Sequence, residues 1–212
     1  MSTVPARRFL GRDLALELLD PDEVKLTRLY KRLGGDWDPP EPQYRTLRVD
    51  PPAGQEDRFA VLYTGDCVQV VAAECRILVA KPDETYVWAG DQADIYQVAR
   101  YSYDAPALFI PIDGDNRRVL GLDGPSRMTT GYALFQNVAL ELYERFGTTV
   151  HGLSWESFHR NQLGRVYAIW HDRKDAMSLQ LDMTGASASL TTDAAWNDFL
   201  VANPHTVKEI RP

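Results

Sequence analysis

The sequence predicts a single compact mixed α+β domain built on a central sheet. Three observations lead there. Period-two apolar alternation recurs in short runs along most of the chain, a few segments switch to helical spacing, and no repeat, low-complexity tract or linker separates them. A chain of 212 residues fits one domain and is short for two, so residues 1–212 are expected to form one unit.

Taken in order, residues 13–20 predict a short helix ended by Pro21. Val24 to Tyr30 alternates apolar and polar and predicts a strand. A loop dense in breakers follows, from Gly34 through Pro42 and on past Arg45 and Arg48 to Pro51-Pro52. An irregular segment of that length inside a domain is more often functional than accidental. Arg58 to Tyr63 predicts the clearest strand. It runs through Thr64-Gly65-Asp66, where Thr64 or Asp66 can cap, into an apolar helical stretch from Cys67 to Ala80. That helix carries Glu74 about two turns in, and an ionised glutamate is rarely buried without a partner.

Ala93 to Tyr103, Ala107 to Ile112 and Arg117 to Leu120 predict three more strands. Thr129 or Thr130 caps a long amphipathic helix that stops at Phe146-Gly147. Val150 to Trp155 and Arg165 to Trp170 predict two strands around the turn-like Asn161 to Gly164. Ser178 to Met183 predicts one more strand, and Asp193 opens a short helix through Ala202.

Hydrophobic residues at 44% and charged residues at 25% exclude a disordered chain. A formal charge of −7 argues against general duplex binding, while local basic pockets for a phosphorylated small molecule remain open. Cys67 and Cys75, eight apart, make neither a metal knuckle nor a disulfide framework and read as buried free thiols. The N-terminus mixes Arg7, Arg8 and Arg12 with Asp13 and Glu17 and has no signal-peptide core. No run reaches the ~18–20 apolar residues of a membrane span, so the expected location is cytoplasmic.

Several motifs fail. There is no phosphate loop and no GxGxxG after a strand. Gly152-Leu153-Ser154-Trp155-Glu156 begins like a nucleophile elbow, but Glu156 replaces the second glycine. His151, His159, His171 and His205 form no HExxH pair, and no metal site is expected.

What remains is a constellation. Leu26-Thr27-Arg28-Leu29 places an arginine on a strand. Phe59-Ala60-Val61-Leu62-Tyr63 is followed eleven residues after its tyrosine by Glu74, within Val71-Ala72-Ala73-Glu74. Gly152-Leu153-Ser154-Trp155-Glu156-Ser157-Phe158-His159-Arg160 closes a strand far downstream. This pattern resembles the RES domain, the family named for its Arg, Glu and Ser. The resemblance spans about residues 24–172, leaving 173–212 as a C-terminal strand and helix extension. The tyrosine–glutamate block is its most specific part. Arg28 fits the arginine best and Arg48 second, with Arg32 and Arg45 competing. The stretch between Glu74 and Ser157 is unusually long, and Glu156 adds a carboxylate beside the serine.

The resemblance implies a fold similar to ADP-ribosyltransferases and an activity that consumes NAD. It also implies the toxin half of a toxin–antitoxin pair whose antitoxin carries a helix-turn-helix domain. NAD is then substrate, with no further cofactor, no metal, and no direct contact with nucleic acid or membrane. The carried-over catalytic set is Glu74, Ser157, Tyr63 and Arg28. Arg28, Arg48, Tyr63 and Ser157 would contact the dinucleotide.

These residue types suit that chemistry. Breaking the nicotinamide–ribose bond builds positive charge on the ribose, as in glycoside cleavage, and Glu74 supplies a stabilising carboxylate. An arginine offers a planar fork to the diphosphate. Tyr63 offers a ring face and a hydroxyl, and Ser157 a hydrogen bond to ribose or carboxamide. Hydrolysis, phosphorolysis and ADP-ribosyl transfer share this step and differ only in the acceptor. The alternative is a non-catalytic module of the same shape that binds a nucleotide or a partner protein.

Overall fold

In the computed structural model, residues 13–21, 23–81, 85–122, 131–157, 164–183 and 188–209 are described. A long curled sheet organises the α+β fold. Its strands are β1 (Glu17–Leu19), β2 (Leu26–Tyr30), β3 (Val61–Gly65), β6 (Gln97–Tyr103), β7 (Ala107–Pro111), β8 (Gly152–Glu156), β9 (Arg165–Trp170), β10 (Leu179–Leu181) and β11 (Ala188–Ser189). Their order is β1-β7-β8-β9-β3-β2-β6-β10, with β11 also on β6. The pair β7·β8 is parallel and its neighbours are antiparallel. Two helices lie in the β7–β8 connection, as a parallel pairing requires: α3 (Gly114–Val119) and α4 (Ala133–Phe146). A second sheet orders β12 (Val207–Glu209), β5 (Tyr86–Ala89) and β4 (Leu78–Ala80).

The inner strands are buried on both faces, so Leu26 and Leu29 of β2 enter different core layers. In β2, Leu26 and Leu29 are buried and Arg28 is half-buried. One core layer gathers Val138, Ala139 and Leu142 of α4 against Val61, Leu153, Trp155, Ala168 and Trp170. Another lies where α1 (Val68–Glu74) and α5 (Ala194–Ala202) meet, around Val68, Val71, Ala72, Trp88 and Trp196. Asp193 caps α5 by accepting from Trp196 N at 3.0 Å.

Four elements depart from the reading. Residues 17–19 are the edge strand β1, registered Glu17 to Phe109 on β7, because so short a leucine run cannot offset the cost of nucleating a helix. The helix from Cys67 stops at Glu74, where Arg76 turns left-handed at φ 57, and residues 78–80 enter the second sheet. Its N-cap is Cys67 with no side-chain cap bond, rather than Thr64 or Asp66. Arg117–Val119 belongs to the helix α3, whose buried Asn116 bonds Pro111 O at 2.8 Å and Ala15 O at 2.9 Å. The strand expected from Ala93 begins only at Gln97, after the short helix α2 (Gly90–Ile95). Thr129, Thr130 and Asn161 to Leu163 lie outside the described residues. No described helix is long and apolar enough to cross a membrane.

Candidate functional site

A cavity of about 580 Å³ opens between β2, β3 and the C-terminal end of α1, within the ~300–1,000 Å³ usual for small-molecule sites. Arg28 reaches it from β2, Tyr63 and Thr64 from β3, Trp155 from β8 and Val166 from β9. The loop after β2 contributes Lys31, Arg32, Gly35, Leu47 and Arg48.

Arg28 is fastened before any ligand arrives. Its Nε donates to Gly35 O at 2.9 Å and its Nη1 to Tyr63 O at 3.0 Å. Burial pushes its pKa below the ordinary value, and an arginine keeps its charge regardless. The first of those carbonyls sits on a tight turn: a Cβ on Gly35 would lie 2.8 Å from Arg32 O, so only glycine fits there.

Tyr63 divides its functions. The hydroxyl donates to Asp50 Oδ1 at 3.1 Å and accepts from Val49 N at 3.2 Å, so it holds the loop 47–50. The ring stands edge-on to Trp155, with centroids 6.4 Å apart. Burial, then the Asp50 charge, raise the Tyr63 pKa well above its usual value. Asp50 is 2% exposed and its carboxyl is itself raised by burial, although Leu47 N donates to Oδ2 at 2.7 Å.

Glu74 is the last residue of α1, and Ser157 follows β8. Ser157 Oγ donates to Glu74 Oε1 at 2.8 Å, across 83 positions of sequence. A carboxylate at a helix C-terminus faces the negative end of the helix dipole, so helix stability does not explain Glu74. Both side chains are half-buried. Arg48 lies 5.2 Å from the ring centroids of Tyr132 and Phe135, an arrangement that holds its planar group in place.

The structure therefore puts Arg28, Arg48, Tyr63 and Glu74 on one cavity and bonds Ser157 to Glu74. Arg45 is elsewhere in role: it bonds Pro40 O at 3.0 Å, Glu56 O at 2.8 Å and Phe59 O at 2.9 Å, stapling its loop. Arg32 lines the rim and donates to Asp38 O. Sequence reasoning missed Asp50, Lys31, Arg76, Tyr96 and Tyr132, and no spacing pattern marks them. Cys75 lines the cavity and is half-buried rather than buried, as is Cys67. Burial pushes their thiols up to about 11 and about 12, so neither is a ready nucleophile.

The charges are lopsided. Among the described lining residues Arg28, Lys31, Arg32, Arg48 and Arg76 are cationic, and Glu74 is the one carboxylate, in a chain of net charge −7. Such a cavity favours an anionic ligand, with a single negative group aimed at one point of it.

A second polar cluster lies by a cavity of about 400 Å³ near β1 and α3. Arg165 Nη2 meets Glu17 Oε2 at 2.7 Å, and its Nη1 meets Asp113 Oδ2 at 3.5 Å. Ser154 and Tyr167 both donate to Glu17, Tyr167 at 3.0 Å. Ser154, the residue of the failed nucleophile elbow, is fully buried in this network.

No family model matches the chain, and no curated protein matches it. The fold is similar to a chain in the crystal structure of the M. tuberculosis MbcT–MbcA toxin–antitoxin complex, with a TM-score of 0.52 and 15% identity. The match covers 91% of this chain and 94% of that one. At that identity the likeness is one of fold.

Proposed function

We propose that this protein is an NAD-consuming enzyme that breaks the nicotinamide–ribose bond, and that it is the toxin of a toxin–antitoxin pair acting in the cytoplasm. One observation carries the chemical part: among the described lining residues of the cavity, a single carboxylate, oriented by a serine hydroxyl, stands with five cations. The cations suit a diphosphate. The carboxylate suits a ribose that becomes positive as its bond breaks.

In that reading the C1′–N bond breaks with its electron pair leaving on nicotinamide, which departs neutral. Glu74 stabilises the cation left on the ribose, and Ser157 holds the carboxylate in position. Arg48, stacked on its two rings, and Arg28, fixed on two carbonyls, bind the diphosphate. The rings of Tyr63 and Trp155 wall the nicotinamide end and exclude water. A nucleophile then attacks C1′ and gives up its proton. Water, phosphate and a protein side chain all satisfy that step.

The toxin part is supported by the fold shared with a chain from a toxin–antitoxin complex and by the RES-like residue pattern. A helix-turn-helix antitoxin is the partner that the resemblance implies. The test is incubation of purified protein with NAD, following released nicotinamide and the mass of the second product. Release that disappears in Glu74→Gln supports the enzyme. Saturable binding with no release, in protein shown to be folded, overturns it in favour of a binding module. Growth arrest on expression, relieved by a neighbouring gene, supports the toxin; unimpaired growth overturns that part alone.

A further inference from the structure

The cations of the cavity are held by other parts of the molecule, with one exception. Arg28 rests on two carbonyls and Arg32 on another. Lys31 reaches Gln92 Oε1 at 3.4 Å and lies 4.4 Å over the Tyr96 ring, while Arg48 lies over Tyr132 and Phe135. Arg76 is exposed, and among the described residues its guanidinium has no hydrogen bond, ion pair or ring contact.

Its backbone is also unusual. Arg76 has φ 57, and it closes α1 with two bonds: Arg76 N to Ala73 O at 2.9 Å and Ile77 N to Ala72 O at 2.8 Å. This is the helix-ending turn whose left-handed residue is ordinarily glycine, because a Cβ there is strained. The turn has a geometric effect. Successive residues of a helix point about 100° apart, so three in a row cannot share one face. Yet Glu74, Cys75 and Arg76 all line the cavity, and the left-handed turn brings the third of them round. Lys31 stands at the same end, since the Tyr96 on which it rests lines the cavity together with Cys75.

We propose that Arg76 is a phosphate-binding residue of this cavity, reaching the anionic part of a bound dinucleotide, and that its strained position is retained for that contact. The proposal rests on the reading of the cavity as a dinucleotide site. Glycine would end the helix with less strain and would remove the uncommitted cation. An arginine at that position, without a partner among the described residues and lining a cavity already rich in cations, is explained by a ligand and by nothing the helix needs.

The test is calorimetric titration of the wild type, Arg76→Gly and Arg76→Asn with ADP, using adenosine as the uncharged control and recording melting temperatures alongside. Glycine and asparagine both tolerate the left-handed turn, so either variant keeps the fold. Both should bind ADP about threefold to tenfold more weakly, the range for an exposed charge-assisted contact, and adenosine equally well. Arg76→Gly should melt no lower than the wild type, and Arg76→Lys should recover part of the ADP affinity. ADP affinity unchanged in both variants overturns the proposal. So does a loss equal for ADP and adenosine, or a wild type that does not bind ADP. Arg76-dependent ADP binding in a protein that releases no nicotinamide from NAD instead overturns the enzyme reading and leaves this one standing.

Discussion

Two clusters of the same three residue types lie on either side of one strand. Ser154 of β8 joins Glu17 and Arg165; Ser157, just beyond the strand, joins Glu74 in a cavity that also holds Arg28. Alternation along the strand sends the two serines to different faces. Their surroundings differ in how charge is balanced. Around Arg165 a cation meets two carboxylates, and two hydroxyls donate to Glu17, so the cluster is closed upon itself. Around Glu74 the cations outnumber the carboxylate, and the arginines lean on carbonyls and rings that leave their charge in place. The closed cluster holds β1 and α3 to the sheet. The open one leaves a field for something from outside. Residue types alone do not distinguish a site from a staple; the balance of charge does.

The sharpest way to break this comparison is to remove the carboxylate charge in each cluster. Glu74→Gln keeps shape and hydrogen bonding and removes the charge that meets the ribose cation. The expected loss in kcat is about 10²–10³, roughly 2.7–4 kcal/mol, with an unchanged melting temperature. Glu17→Gln should do the reverse, leaving nicotinamide release intact and lowering the melting temperature. Equal effects on activity from both would show that the clusters are not different in kind.

A smaller effect is expected from Arg165→Met, which strips the cation from Glu17 and Asp113, side chains only 21% and 20% exposed. Stranding them should cost about 1–3 kcal/mol. In a chain of this size that lowers melting by roughly 2–4 °C per kcal/mol, measurable by calorimetry. Unchanged melting would mean the closed cluster holds nothing together.

Next comes a contrast within the open cluster. Arg28→Lys loses at least one of the bonds to Gly35 O and Tyr63 O, so it should raise KM for NAD and also lower stability by about 1.5 kcal/mol. Arg48→Lys, which keeps the charge and gives up the planar contact with the Tyr132 and Phe135 rings, should raise KM with a smaller drop in melting than Arg28→Lys. Kinetics and melting curves on the two variants decide which arginine binds the diphosphate. A KM that moves only with Arg48 would leave Arg28 as a structural brace and keep the rest of the reading.

How much of this was legible follows from what each feature depends on. β2, β7, β8 and β9 show in the sequence as short apolar or alternating runs that the sheet buries on both faces, and α5 because Asp193 caps it. The end of α1 did not show, because it rests on a left-handed arginine where a glycine would have signalled the stop. The edge strand β1 owes its form to pairing with β7 rather than to its own leucines. In the cavity, Arg28, Tyr63, Glu74 and Ser157 were found through a family-like order of motifs. Asp50 and Arg76 were not, since burial defines the first and a backbone angle the second. Nor did the sequence reveal that the Tyr63 hydroxyl is committed to the loop, leaving its ring for the cavity.

That division within Tyr63 gives the smallest expected effect and a test by pH. Tyr63→Phe keeps the ring against Trp155 and removes the hydroxyl shared with Asp50 and Val49, so KM and kcat should change little. The lost bonds should cost about 1 kcal/mol at neutral pH. The sign of the pH dependence follows from Asp50, whose folded pKa is raised, burial being the main cause. A raised carboxyl favours the protonated form in the fold. Asp50 therefore burdens the folded state increasingly as pH rises from its ordinary value of 3.8 through the raised one. The Tyr63 hydroxyl works against that rise by donating to the carboxylate, so Tyr63→Phe pushes the Asp50 pKa further up. Its stability deficit should be largest at neutral pH and shrink as acid protonates Asp50, when the hydroxyl no longer meets a charge. Denaturant unfolding of both proteins near pH 4 and pH 7 measures it. A deficit that is constant or grows toward acid would mean that the hydroxyl does not stabilise the Asp50 charge. In that case loop 47–50 is held by the Val49 bond and the Leu47–Asp50 turn alone.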